Sequence, residues 1–111
     1  MNRIAISPAA AAVLRALIGR AGVPRDRILL TCVESVDWRS LTLNGERHQL
    51  QLRVPAPEAA AIVERMCTGL DEAEFSIPGV IVADIALECD PIRELDGSIS
   101  LAIEALTVTE N

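Results

Sequence analysis

Few side chains in this chain could do chemistry. His48 is the only histidine, and Asp84, Glu34 and Glu104 are carboxylates set among β-forming residues. A histidine can act as general acid or base near neutral pH, and a carboxylate held in an apolar run can do so once burial raises its pKa. Asp84 fits the second case best, because it interrupts the apolar run from Val80 to Leu87. Against catalysis, His48 alternates with Leu50, Leu52 and Val54, the pattern of a structural core residue. No second histidine or cysteine stands at ligand spacing from it, so no metal site is expected.

Other chemistries find less support. The chain has no Lys and no Tyr, which removes Schiff-base lysines and phenolic acids. Cys32, Cys67 and Cys89 are odd in number, widely spaced and set in apolar stretches. They are expected to be small buried hydrophobes in a reducing compartment. Gly19-Arg-Ala-Gly22 follows a helix instead of preceding one, the wrong context for a phosphate loop. The serines show no nucleophile-elbow motif. No cofactor is expected.

Composition narrows the classes further. At 111 residues and 50% hydrophobic, the chain fits one domain, 1–111, with a real core. Its net charge of −6 is unevenly spread. Residues 1–55 set eight Arg against Asp26, Glu34, Asp37 and Glu46, a balance of +4; residues 56–111 set Arg65 and Arg93 against twelve acids, a balance of −10. Arg20, Arg25 and Arg27 cluster, yet the total is acidic and Trp38 and Phe75 are the only aromatics, so nucleic acid is not expected. No apolar run reaches the roughly 18 residues of a membrane span. The N-terminus imitates a signal peptide until Arg15 and Arg20 interrupt it, so a cytoplasmic location is expected. All-Arg, Ala-rich usage suits a GC-rich bacterial genome.

The elements that must position these residues are clearer. Ser7-Pro8 starts a helix through Ile18, ended by Gly19, Gly22 and Pro24. That helix is apolar nearly all round, as a helix is when it lies against a partner or is buried on several sides. Ile28 to Trp38 and Glu46 to Val54 read as strands, joined through Leu41-Thr-Leu43 by an Asn44-Gly45 hairpin turn. A tight turn there puts Trp38 and Val36 out of phase with Leu50 and Leu52, which predicts a β-bulge near Arg39-Ser40. Pro57 starts a second helix with a stripe of Ala59, Ile62, Val63, Met66, Cys67 and Leu70. Val80 to Cys89 is a third strand, expected near the sheet centre, and Asp96-Gly97 turns the chain into a fourth. A parity switch at Leu106 and Val108 predicts a second bulge near Glu104-Ala105.

The expected fold is α+β: a duplicated αββ unit, pseudo-repeats 1–55 and 56–111, giving a four-stranded antiparallel sheet with two helices on one face. Residues 2–6 could add a strand to the first unit, making it βαββ. The over-apolar first helix, the two-sided apolar strand at Val80–Leu87 and the opposed charges of the halves point to a homodimer. The leading functional expectation is a non-enzymatic interaction module that binds protein or small-molecule ligands. The alternative is a small-molecule-binding domain or small enzyme with a carboxylate-lined pocket using Asp84, Glu34 or His48. An acidic chaperone-like protein is a third reading and would need an exposed hydrophobic groove.

Overall fold

The local signals at the first helix act as their chemistry requires. In the computed structural model, which describes residues 5–109, α1 spans Pro8–Ala21. The Ser7 hydroxyl accepts from the Ala10 N–H at 3.1 Å, and Gly22 closes the helix in the left-handed region at φ 69°. Of the extra strand expected at residues 2–6, residues 2–4 lie outside the described residues, and Ala5 and Ile6 are not in a strand. The remaining elements are β1 (Leu29–Arg39), β2 (Asn44–Val54), α2 (Ala59–Cys67), β3 (Ile81–Leu87), β4 (Ile92–Arg93) and β5 (Ile99–Thr109). The fold is α+β, with two α-helices and an antiparallel sheet of five strands among the described residues. The strand beyond the four expected is β4, which pairs with β5 only at Ser100 and Ile99.

Strand order is β1-β2-β5-β3, with β4 following β3 along the outer side of β5. The alternation of β2 sets the layers. His48, Leu50, Leu52 and Val54 are buried and stand opposite Ala105, Ile103, Leu101 and Ile99. One core joins this face to Val13, Leu17 and Ala21 of α1 and to Ile62, Val63 and Met66 of α2. The opposite face presents Arg47, Gln49 and Gln51 to solvent. The helices also cap each other. Arg20 of α1 donates to the carbonyls of Met66 (3.0 Å) and Thr68, while Arg65 of α2 donates to the Ala21 carbonyl at 2.9 Å. Each guanidinium thus meets the electronegative end of the other helix.

Register corrects several expectations. Asn44-Gly45 is not the tip of the first hairpin; it opens β2, paired with Arg39 and Trp38, and Ser40 to Leu43 form the loop. Leu41 is fully exposed in that loop. No bulge occurs at Arg39-Ser40; the register shift falls between Leu30 and Cys32. Trp38 and Val36 therefore lie on the face with Arg47 and not in the helix-side core, and Val36 is 63% exposed. Gly45 is required by close approach: a Cβ there would sit 2.2 Å from the Thr107 carbonyl and under 3 Å from the Trp38 indole. Asp96-Gly97 is a true turn, with Gly97 at φ 87°. β5 runs in register with β2 throughout, and the second shift lies on its neighbour β3, between Val82 and Asp84. That shift puts Ile81 on the opposite face from Ile85. β3 is an edge strand, so Asp84 is not near the sheet centre.

Candidate functional site

The sequence candidates separate onto the two faces of the sheet. His48 is fully buried on the helix side, where β1, β2 and β5 bring three polar side chains into a row. Its Nδ1 lies 2.7 Å from the Ser35 Oγ, its cross-strand neighbour, and its Nε2 lies 2.8 Å from the Thr107 Oγ1. A neutral imidazole suits this setting, with one ring nitrogen accepting from a hydroxyl and the other donating. Burial lowers the pKa of His48 below its ordinary 6.5, and the nearby Glu46 charge opposes only part of that effect. Ser35 is exposed while Thr107 is buried. The row satisfies a buried ring and fixes the register of three strands.

Asp84 and Glu34 lie on the opposite face. Asp84 is exposed and lines a small cavity of about 160 Å³ with Glu88, Glu104 and Arg47. Arg47 pairs with Glu104 at 3.1 Å, with both side chains substantially in solvent, an arrangement worth at most about 1 kcal/mol. Glu34 shares this face but stands outside the cavity: across the sheet it faces Gln49, which in turn faces Glu104. Two strand spacings, roughly 10 Å, separate the two carboxylates. Asp84 and Glu104 are thus brought together, while Glu34 and His48 are kept apart from them. Among the described residues no group of three or more His, Cys, Asp or Glu is placed to hold a metal ion.

The cysteines depart from expectation. Cys32 and Cys89 are exposed, because Cys32 projects from edge strand β1 on the solvent face and Cys89 lies beyond the end of β3. Only Cys67 is partly buried, and burial raises its pKa while Arg20 opposes the rise. The arginine cluster also resolves into separate tasks. Arg20 caps α2, and Arg27 donates to the carbonyls of Pro55 (3.2 Å) and Pro57.

A larger concavity among the described residues was not named from sequence. It is a groove of about 660 Å³ between α1 and edge strand β1. Leu14 and Ile18 of α1 line it with Ile28, Leu29 and Leu30, and Ile6, Ala11, Gly19, Arg15 and Arg25 contribute the rest. The signal was the helix apolar nearly all round. Val13 and Leu17 enter the core, while Leu14 and Ile18 are partly buried against it and also line the groove. Beside it, the outer edge of β1 pairs with no strand among the described residues. The arrangement suits contact with a chain carrying apolar and acidic side chains.

No described helix is long and apolar enough to cross a membrane. No protein-family model matches the chain, and no curated protein or solved structure shows significant similarity to it.

Proposed function

We propose that this protein is a non-enzymatic interaction module that works as a homodimer in the bacterial cytoplasm. The observation that carries the reading is the α1/β1 groove, apolar in its walls, lined by Arg15 and Arg25, and bordered by an edge of β1 that pairs with no further strand among the described residues. A groove of this kind loses apolar surface to water when a partner fills it. We also read the two αββ halves as a duplicated unit. Each helix is followed by an antiparallel pair, β2 and β5 meet at the centre, and the helices exchange arginine caps. Opposed charge in the halves then allows a first half to meet a second half of another copy.

Sedimentation equilibrium tests the reading. It predicts a dimer whose dissociation constant rises with added salt, because charge pairs help to hold it. A monomer at every concentration overturns it. The carboxylate-lined cavity at Asp84, Glu88, Glu104 and Arg47 favours the second reading, a small-molecule site. Native mass spectrometry of the purified protein separates the two: a bound metabolite lost on Asp84→Asn would put the cavity first. The groove is also what a chaperone-like protein requires, and that role would leave it open in the isolated protein.

A further inference from the structure

We propose that the α1/β1 groove of one protomer receives the Leu95 turn of a second copy, and that the second groove receives the first turn in exchange. This rests on the homodimer reading and adds which surfaces meet. Leu95 stands at the tip of the β4–β5 turn and is fully exposed, with Ile92 beside it 56% exposed. Asp90, Glu94 and Asp96 flank these two apolar side chains in sequence with Arg93 between them, so the segment is acidic on balance, and Arg53 pairs with Asp96. The groove offers the complement: apolar walls with Arg15 and Arg25, whose guanidinium groups make no hydrogen bond or ion pair among the described residues. An apolar knob in an acidic collar thus matches an apolar slot lined by arginines.

The turn is ordered before any partner arrives. The Glu94 N–H donates to the Ser98 carbonyl at 2.9 Å, and the Gly97 N–H donates to the Glu94 carbonyl at 3.1 Å. Asp96 accepts from the Ser98 N–H and hydroxyl at 2.9 and 2.6 Å, and from Arg53 at 2.8 Å. A pre-ordered turn gives up little entropy on docking.

Placement allows the exchange to close. Leu29 of β1 pairs with Arg53 of β2, and Arg53 binds Asp96 in the turn, so knob and groove flank the same end of the sheet. The groove is on the β1 side and the turn on the β4 side. A two-fold axis normal to the sheet, just beyond that end, turns the β1 side of each protomer toward the β4 side of the other. Both contacts form at once and the assembly stops at two.

Leu95→Asp tests the interface at an exposed position, with far-UV circular dichroism confirming the fold. Sedimentation equilibrium should show a dimer weakened at least about ten-fold. A p-benzoylphenylalanine at position 95 should cross-link between chains, onto the partner peptide spanning residues 14–30. A wild-type dimer left unchanged by Leu95→Asp, or cross-linked elsewhere, overturns this interface and leaves the homodimer standing. A wild-type monomer overturns both.

Discussion

His48 is a buried imidazole with a hydroxyl within hydrogen-bond distance of each ring nitrogen, Ser35 at Nδ1 and Thr107 at Nε2. Its alternation with Leu50 and Leu52 put it on the apolar face, but its partners Ser35 and Thr107 come from two other strands, and no local pattern names them. Burial holds its folded pKa below 6.5, so the unfolded chain takes up the proton first as pH falls. The stability it contributes is full above pH 6.5 and declines below it until the folded-state value is reached. Urea unfolding should therefore show stability falling as the pH drops below 6.5, with a flatter profile in His48→Gln. An identical slope in both proteins contradicts this. Asp96 acts lower on the scale: hydrogen bonds from the Ser98 hydroxyl and N–H, with Arg53, depress its pKa, so its contribution is lost only as pH falls below 3.8. Glycines give a second test. Gly45→Ala drives a methyl into the Thr107 carbonyl and should cost about 1–3 kcal/mol in chemical denaturation. Gly19→Ala, inside α1 with nothing within 4 Å, should stabilise by about 0.5–1 kcal/mol.

Elements were legible where their signals are local. Ser7-Pro8, Gly22, the alternation of β2 and the Asp96-Gly97 turn each act within a few residues, and each is found as read. Asn44-Gly45 misled because its glycine answers to Trp38 and Thr107, one across the hairpin and the other on β5. Both bulges moved for a related reason. A phase mismatch shows that one residue is extra without showing where it is absorbed: the first shift stays on β1 but falls at Leu30–Cys32, and the second falls on β3 at Val82–Asp84 instead of on β5. The mutual capping of the helices had no local signal either, since Arg20 and Arg65 look like ordinary solvent-facing charges. Arg20→Met and Arg65→Met should each cost about 1 kcal/mol, by loss of charge-assisted bonds at helix ends. Equal stability of both variants and wild type in guanidinium titrations would show that the caps contribute nothing.

At the scale of the whole molecule, the sequence supplied an excess: more apolar surface on α1 than one core needs, and charge of opposite sign in the two halves. Part of that apolar excess lines the groove between α1 and the edge of β1, which pairs with no further strand among the described residues. The occupant we propose for it was not legible, because strand order and the placement of the β4–β5 turn arise from pairings far apart in sequence. The carboxylates read as a possible site divide in the same way, Asp84 with Glu104 at one cavity and Glu34 apart from them. The central claim is that the groove is covered by a partner copy. Hydrogen exchange read by mass spectrometry, on dilute and then on concentrated protein, tests it most directly. The account predicts that peptides covering residues 14–30 exchange more slowly when the protein is concentrated, while the Asp84 strand is unchanged. Equal exchange of those peptides at both concentrations would contradict it.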